Sequence, residues 1–389
     1  MSVVVAGHTC LDIIPAWQKG DIKDLKPGHM LEMEGIEFST GGVVPNTGLA
    51  LNKLGIETSL IGKVADDIIG RIIIDILKQQ GDTLTDHMIV GEDKTSSYTV
   101  VLNPENTDRM FLHYPGPNDT FTAGDIPYQE LGEVEIFHFG YPPLLKQFYR
   151  NQGQESVTVF KKMQGVGALT SLDMSMPDLE AEPGRQDWKA YLKNVLPYVN
   201  IFAPSIEELL FMIDKDNYRK LQEDRLEISG ELLQDLGVKI IEMGAEIALI
   251  KLGSQGLYLV TGKLESFGEQ GENYSPVLSE LINPRDWSRK QLLAPCFLAE
   301  VVGTTGAGDT TIAGFLAALL QGERPARAME IATAVGAHCV ESLGATTGLR
   351  PLSGVKDRID SGWQKQSIDI PLPGWEFDNK LQIWIGPER

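Results

Sequence analysis

The sequence predicts an α/β protein with a mainly parallel central sheet, and two observations support this class. Short apolar runs alternate along most of the 389-residue chain with longer segments whose apolar residues recur at helical spacing. This alternation is typical of βαβ units, in which neighbouring strands run parallel. The first apolar run, residues 3–5, is β-branched and stops at Gly7, as a buried parallel strand would.

The N-terminal part of the chain is predicted to hold a strand, an irregular segment and a helix. Asp12 lies just past the first strand, where ligands collect at the sheet edge of open α/β proteins. Residues from about 14 to about 40 are turn-rich and have no core periodicity. A turn at Gly41 and Gly42 then leads into a helix over residues 46–54.

Further strands and helices follow in alternation. Strands are predicted over residues 59–64, 98–102, 109–113, 136–139, 169–173, 200–203, 248–251 and 256–260. Helices are predicted over residues 70–80, 148–164, 188–195, 206–213 and 230–243. Two stretches lack such a pattern, namely an excursion at about residues 262–293 and the tail after Arg350. The tryptophans of the tail indicate that it wraps the body or a neighbouring subunit.

Composition and charge exclude several classes of protein. The chain is 42% hydrophobic and 23% charged, as in an ordinary globular protein, and its formal net charge is −20. It has no lysine-rich run, so a nucleic-acid-binding surface is not expected. Its three cysteines lack metal-site and disulfide spacing, and no apolar run is long enough to span a bilayer. Since the start is also unlike a signal peptide, we expect a cytoplasmic protein that binds neither nucleic acid nor membrane.

The stretch from Gly303 to Gly308 has the glycine spacing of a phosphate-binding P-loop but lacks the lysine that follows it there. The next residue is Asp309, which opens a helix with a core-facing apolar stripe. The first N–H groups of a helix have no intrahelical partners and carry partial positive charge. Gly306, Ala307 and Gly308 are therefore predicted to form an anion site that needs no lysine.

Two interpretations of Asp309 are open at this point. Its carboxylate can accept the proton of an alcohol that attacks a phosphoryl group, while the loop amides stabilise the charge on that group. Alternatively, Asp309 only caps the helix that it begins, as Asp often does.

Several motifs together resemble those of the ribokinase (PfkB-type) family of carbohydrate kinases. Residues 304–309, TTGAGD, resemble the family's late signature D-T-x-G-A-G-D. Residues 41–70 resemble its early signature, G-G-x-x-x-N-x-A…L-G…G-x-V-G-x-D-x-x-G. Shorter matches are the first strand with Asp12, residues 203–208, which resemble the P-N-x-x-E element, and the glycine turn at 250–256. The matches come in the family's order and span residues 3 to about 350.

The resemblance implies a three-layer α/β/α ribokinase-like fold with a small β-sheet lid, and it also implies roles for particular residues. Asp309 would be the catalytic base, and the amides of Gly306, Ala307 and Gly308 would form the anion hole. The substrate hydroxyls would be held by Asp12, Gly42 and Asn46, with Arg109 of the lid as a further candidate contact. The nucleotide would lie against Lys251, Gly253, Gly256 and Thr305, and Glu208 would hold Mg²⁺ through water.

Each of these roles has a simpler alternative. Asn46 can be a helix N-cap, Glu208 a surface acid and Arg109 a solvated lid charge. Gly42 can be only a tight turn, and Asp12 an ordinary turn residue.

The sequence departs from the family pattern at three places. Gly303 replaces the usual Asp of a monovalent-cation site, which puts activation by such a cation in doubt. Ser205 replaces the usual Asn of the P-N-x-x-E element, which removes an amide near the metal. Lys251 replaces a typical Thr, and it either reaches a phosphate or is a solvated lysine.

The resemblance predicts a kinase that uses ATP and Mg²⁺ to phosphorylate a hydroxyl, expected to be primary, of a small sugar. Its domain would cover residues 1–350, with lid segments at about 14–40 and 95–113, followed by a C-terminal extension over 351–389. The alternatives are a nucleoside or sugar-acid kinase of the same family, or a catalytically weakened sensor of sugar or nucleotide. Relatives form lid-to-lid dimers, so the resemblance also allows a homodimer.

Overall fold

The computed structural model of the chain describes residues 2–17, 23, 25–92, 95–104, 110–264 and 276–387. Its strands are β1 (Ser2–Gly7), β2 (Cys10–Pro15), β3 (Ile36–Gly41), β4 (Glu57–Ile61), β5 (Lys63–Ala65), β6 (Ile89–Gly91), β7 (Tyr98–Leu102), β8 (Met110–Tyr114), β9 (Ile136–Gly140), β10 (Leu169–Asp173), β11 (Ile201–Phe202), β12 (Ile247–Lys251), β13 (Leu257–Thr261), β14 (Gln291–Ala294), β15 (Glu376–Asp378) and β16 (Ile383–Ile385).

Its helices are α1 (Val43–Lys53), α2 (Ile68–Lys78), α3 (Lys146–Tyr149), α4 (Gln154–Gly165), α5 (Trp188–Val195), α6 (Ile206–Ile213), α7 (Lys215–Gln222), α8 (Gly230–Glu242), α9 (Pro276–Leu281), α10 (Pro284–Trp287), α11 (Ala307–Leu320), α12 (Pro325–Val340) and α13 (Leu352–Asp360). Within the described ranges, every helix is too short or too polar to cross a lipid bilayer.

The central sheet has ten strands in the described part of the chain, in the order β15-β16-β14-β13-β12-β11-β10-β9-β1-β4. The strands from β12 to β4 in this order all pair in parallel. The other four strands continue the sheet in antiparallel pairing. The predicted mainly parallel sheet is confirmed, and its antiparallel edge includes β15 and β16 from the C-terminal tail.

Helices cover both faces of this sheet. Neighbouring residues of β1 point into different hydrophobic clusters, Val3 and Val5 into one, Val4 and Ala6 into the other. The first cluster also contains residues of α1, α2 and α11 to α13, whereas the second contains residues of α4, α5, α6 and α8. The three-layer arrangement is therefore confirmed, since side chains alternate between the two faces of a strand.

A second, smaller sheet has the order β3-β2-β7-β8, and we call it the lid sheet. Strand β2 pairs antiparallel with β3 and parallel with β7, and β7 pairs antiparallel with β8. The lid sheet begins at Cys10, upstream of the segment expected from the sequence. Asp12 therefore lies inside β2, opposite Ser39, and not in a turn after β1. The turn interpretation of Asp12 is wrong because its backbone is paired on both sides of the strand.

The single helix predicted over residues 148–164 is two helices, α3 and α4. Between them, Asn151, Gln152 and Gly153 have φ values of 49°, 53° and 80°, in the left-handed region that ends an α-helix. The described residues of the predicted excursion include α9, α10 and the start of β14.

Candidate active site

The glycine loop ends at the N-terminus of α11, with Gly306 as the N-cap residue. Its φ of 76° is left-handed, and a Cβ built on it would lie 2.5 Å from the Cβ of Ala345. Only glycine meets both conditions without strain. The loop is thereby fixed in a turn that presents the first N–H groups of α11.

Asp309 is buried in the first turn of α11, and its side chain is 4% exposed. Its Oδ2 accepts a hydrogen bond from Asn46 Nδ2 at 3.0 Å, and its Oδ1 accepts from Tyr141 Oη at 2.8 Å and Thr47 Oγ1 at 3.4 Å. These three donors belong to α1 and to the residue after β9. The interpretation of Asp309 as a helix cap is wrong, because the N-cap is Gly306 and the carboxylate bonds to other elements.

Burial raises the pKa of Asp309, whereas Lys251 and the bonds from Tyr141, Asn46 and Thr47 lower it. The net direction of the pKa is upward. A carboxylate with a raised pKa is a stronger base than an ordinary Asp, because its pKa is nearer the pH at which it takes a proton.

Tyr141 is a site residue that the sequence did not indicate. It follows Gly140 at the end of β9 and has a left-handed φ of 64°, which is uncommon for a bulky residue. This backbone turn aims the hydroxyl at Asp309, 168 residues further along the chain. In the sequence, only its place at the end of a predicted strand could have indicated Tyr141, because side chains at the carboxyl ends of parallel strands face the ligand crevice.

The predicted substrate residues lie next to one another around the start of α1. Gly42 is the N-cap of α1 with a φ of 97°, and a Cβ there would come within 2.5 Å of His8 Nδ1. Asn46 lies inside α1 and bonds to Asp309, so its interpretation as an N-cap is wrong. A Cβ on Gly41 would collide with the carboxylate of Asp12, which shows that Asp12 packs directly beside this turn.

Aromatic rings connect the lid sheet with this region. The His8 ring lies 5.4 Å from that of His113 in β8 and 6.3 Å from that of Tyr141, centroid to centroid. His8 is 3% exposed, both of its ring nitrogens are without a hydrogen-bond partner among the described residues, and burial lowers its pKa to about 3. His8 is therefore neutral. Arg109, the predicted lid contact, lies outside the described residues.

Lys251 lies at the end of β12 and is not a solvated lysine. Its side chain is 14% exposed, and its Nζ donates to Asp173 Oδ1 at 2.7 Å. The same Nζ is 3.5 Å from the position of a Cβ built on Gly308. The ammonium group is therefore held at the glycine loop by a fully buried carboxylate, the partner that a buried charge requires.

Asp173, at the end of β10, was also missed by the sequence interpretation. Its second carboxylate oxygen, Oδ2, is buried and has no hydrogen-bond partner among the described residues. Burial together with Glu208 and Asp309 raises the pKa of Asp173, and Lys251 opposes this. For Lys251, burial lowers the pKa but the neighbouring carboxylates outweigh it, so the direction is upward.

Glu208 is tied into the start of α6 and is not a free surface acid. Its Oε2 accepts from the N–H of Ser205 at 2.7 Å, and its own N–H donates to Ser205 Oγ at 3.2 Å. This reciprocal pair is a capping box. Ser205 thus caps α6 in place of the amide that stands there in the family, and burial raises the pKa of Glu208.

A cavity of about 320 Å³ lies beside this cluster. Its walls include three of the predicted nucleotide residues, Lys251, Gly253 and Gly256, together with Ala307 and Gly308 of the loop. The predicted contact Thr305 is not part of the lining found among the described residues, where Thr304 stands instead. The carbonyl oxygen of Thr305 faces Cys339 Sγ at 3.3 Å. Away from the loop the cavity is mostly apolar.

No group of three or more His, Cys, Asp or Glu side chains is arranged to hold a metal ion within the residues that the structure describes. Mg²⁺ does not require such a cage, because it keeps several waters and takes one or two carboxylates plus substrate phosphates. The unpartnered Oδ2 of Asp173 and the nearby Glu208 match that requirement.

An amide-lined helix start, a buried carboxylate beside it and an adjoining cavity at the edge of an open α/β sheet are the features expected of a small-molecule kinase. The chain belongs to the pfkB family of carbohydrate kinases, because the model of this family matches residues 1–351. It is therefore a phosphotransferase with an alcohol group as acceptor.

Individual relatives agree with this assignment. An uncharacterized sugar kinase of Archaeoglobus fulgidus is 30% identical over 301 residues, which cover 77% of this chain and 98% of the relative. Fructokinase-2 of rice, Oryza sativa, is 22% identical over 366 residues, covering 92% of this chain and 93% of the relative.

Solved structures show the ribokinase-like fold predicted from the sequence. A ribokinase of Arabidopsis thaliana in complex with ribose and ATP has a TM-score of 0.65 at 20% identity and covers 91% of this chain and 97% of its own. A fructokinase of Xylella fastidiosa with bound ATP has a TM-score of 0.67 at 17% identity, covering 92% of this chain and 98% of its own.

Proposed function

We propose that this chain transfers the γ-phosphoryl group of ATP to a primary hydroxyl of a small, uncharged sugar. The observation that carries the proposal is the position of Asp309, a buried carboxylate in the first turn of α11 directly after the anion loop. A base and an anion site on one helix start are the two groups that phosphoryl transfer to an alcohol requires.

Asp309 acts as the general base in this proposal. The sugar hydroxyl donates a hydrogen bond to the Asp309 carboxylate. It transfers its proton to this carboxylate as its oxygen attacks the γ-phosphorus, and the bond between that phosphorus and the leaving ADP oxygen breaks. Asn46 and Tyr141 hold the carboxylate from two sides, at 3.0 and 2.8 Å. This support fixes the direction of the base and limits the entropy lost in reaching the transition state.

Lys251 supplies the positive charge that a lysine directly after the loop supplies in a P-loop. It comes from the end of β12 and not from the loop itself. Its ammonium lies beside Gly308, where the transferred phosphoryl group would meet the amides of Gly306 to Gly308. A buried ammonium stabilises the negative charge of that group more than a solvated one, because the local dielectric is low. The lysine also places a permanent cation near the loop, where Gly303 lacks a carboxylate for a monovalent ion.

Mg²⁺ fits the acidic residues that neighbour Lys251. Glu208 and Asp173 would hold the ion through water, and the bound ion would neutralise part of the charge on the phosphates. The Glu208 carboxylate is held in one orientation by its capping box with Ser205.

The proposed acceptor is uncharged because Asp12 and Asp309, the carboxylates proposed to face it, would repel the negative charge of a sugar acid. A nucleoside is the second candidate, because the rings of His113 and Tyr141, each of which lies beside the buried His8 ring, are at least partly exposed and offer aromatic surface.

The lid sheet also supports a homodimer, the assembly that the resemblance allows. Phe38 and Leu112 leave 44% and 59% of their surfaces exposed and lie on one face of the lid sheet, since the paired positions run from Phe38 through β2 and β7 to Leu112. Sedimentation of the purified chain would test this: a single monomeric species at micromolar concentration would overturn it.

The function is tested by ADP release over a panel of sugars, sugar acids and nucleosides with Mg-ATP. We expect turnover on a neutral sugar, and Asp309→Asn should lower kcat by about 10²–10⁴-fold while sugar binding persists. Asp66→Asn is a matched control, because Asp66 is an exposed carboxylate that pairs with exposed Arg71. Binding of sugar without turnover on any panel member would support a sensor instead, and an active Asp309→Asn variant would refute the base.

A further inference from the structure

The C-terminal tail forms part of the wall of the nucleotide cavity. Gln366 lines this cavity together with Cys296 and Phe297, although it lies beyond the residues 1–351 that the family model matches. The tail therefore adds a side chain to the cavity that the family motifs do not supply.

Backbone pairing holds this part of the tail in place. Residues 296–298 and 364–366 run antiparallel, with a bridge between Phe297 and Lys365. The N–H of Leu298 donates to Gln364 O at 2.8 Å, and the N–H of Gln366 donates to Cys296 O at 2.8 Å. The segment thus continues as a short strand along the cavity wall.

Side chains anchor the segment on both sides. The ring of Trp363 stacks on Phe297 with 4.6 Å between centroids, and its Nε1 donates to Leu298 O at 2.7 Å. Lys365 is nearly buried and pairs with Glu330 of α12 at 3.1 Å. A segment fixed in this way presents Gln366 in one orientation instead of leaving it as a mobile surface residue.

The orientation of the Gln366 amide follows from its partner. Its Nε2 donates to Phe297 O at 3.3 Å, and since a carbonyl oxygen can only accept, the nitrogen must face Phe297. One N–H of the amide and its oxygen Oε1 remain for a ligand in the cavity. The walls nearby are apolar, with Ala299, Val301 and Val340 among them, as suits the faces of a planar base.

We propose that Gln366 reads the edge of the nucleotide base and selects adenine over guanine. An amide with one donor and one acceptor matches adenine, which offers the N6 amino group beside the N7 acceptor. Guanine presents two acceptors, O6 and N7, at the same positions, so Oε1 would face an oxygen. This inference rests on the proposed use of a nucleoside triphosphate by the same cavity.

Calorimetric binding of ATP and GTP to the full chain without sugar tests the proposal. The unmodified chain should bind ATP more tightly than GTP. Gln366→Ala should weaken ATP binding about tenfold and GTP binding by much less, so that the ratio of the two dissociation constants falls. Gln364→Ala is the matched control, since Gln364 is exposed and contributes only its backbone carbonyl to the strand.

Two outcomes would overturn the proposal: an unchanged ATP-to-GTP ratio in Gln366→Ala, or an equal change in Gln364→Ala. Because the ratio compares two ligands on one variant, a general loss of stability in Gln366→Ala does not imitate the expected result. The proposed kinase activity fails separately, by absence of turnover on the acceptor panel while ATP binding persists.

Discussion

Replacing Tyr141 by Phe removes one hydrogen bond from the proposed base and changes little else. The hydroxyl donates to Asp309 Oδ1 at 2.8 Å, and this bond lowers the pKa of a carboxyl whose pKa is raised by burial. Without it, burial is opposed less strongly, so the pKa of Asp309 rises further. Because a general base works only when deprotonated, the acid limb of the activity profile should move to higher pH.

The size of the effect follows from the strength of the bond. A hydrogen bond to a charged group contributes about 1.5–3 kcal/mol, and about 1.4 kcal/mol corresponds to a factor of ten in an equilibrium constant. Asn46 and Lys251 still stabilise the carboxylate in the variant, and the neutral acid also retains some interaction with its surroundings. We therefore expect the deprotonated fraction of the base, and with it kcat on the acid limb, to fall about tenfold at a fixed pH.

The assay is kcat as a function of pH, at saturating ATP and acceptor, for the unmodified chain and Tyr141→Phe. Tyr191→Phe is the matched control, because Tyr191 is another buried tyrosine whose hydroxyl bonds to Ser156 at 2.7 Å in the second hydrophobic cluster. It should leave the acid limb in place. An acid limb of Tyr141→Phe that stays fixed or moves to lower pH would refute the coupling between this hydroxyl and the base.

Three further predictions concern the glycine loop, the ion pair and one buried acid. Lys251→Met should lower kcat/KM for ATP by about 10²-fold, because it removes the ammonium beside Gly308. Adding Asp173→Asn should restore thermal stability but not activity, and recovered kinetics would contradict the phosphate role. Gly306→Ala should cost about 1–3 kcal/mol in urea unfolding, because its Cβ would be strained at a left-handed φ and lie 2.5 Å from Ala345. Burial raises the pKa of Glu246 from 4.5 to about 7, so the stability it contributes below pH 4.5 is lost as pH rises through 7. Between pH 4.5 and 8, the free energy of unfolding of Glu246→Gln should therefore rise by about 1–2 kcal/mol relative to that of the unmodified chain, an energy reduced because Glu246 is partly exposed. A difference in unfolding free energy that stays constant between these pH values would contradict the assignment.

The fold class and the position of the glycine loop at the start of α11 were predictable from the sequence because both depend on local patterns. Apolar runs and helical periodicity reveal βαβ units, and a glycine next to a helix start reveals N–H groups without partners. The loop from Gly303 to Gly308 is contiguous, so its geometry is encoded in neighbouring residues. The family model over residues 1–351 agrees with the motifs on which the resemblance rested.

Residues brought to the site by different strands were not predictable in the same way. Tyr141 and Asp173 end β9 and β10, and no spacing along the chain relates them to Asp309 or Lys251. They meet because the carboxyl ends of parallel strands share one edge of the sheet. Lys251 illustrates the difference: its sequence position allowed either a phosphate contact or a solvated charge, and only the contact with buried Asp173 excluded the second.

Local sequence predicted an anion site at the start of α11 and the carboxylate beside it, because a helix start and its first turn are formed by neighbouring residues. Only the folded chain shows what surrounds that carboxylate: the hydroxyl of Tyr141, the amide of Asn46 and the ammonium of Lys251. Folding also brings Gln366, from a tail without recognisable periodicity, to the wall of the cavity proposed to bind the nucleotide. Such contacts depend on strand order and chain crossing, and these are set by burial of the whole core and not by any single segment.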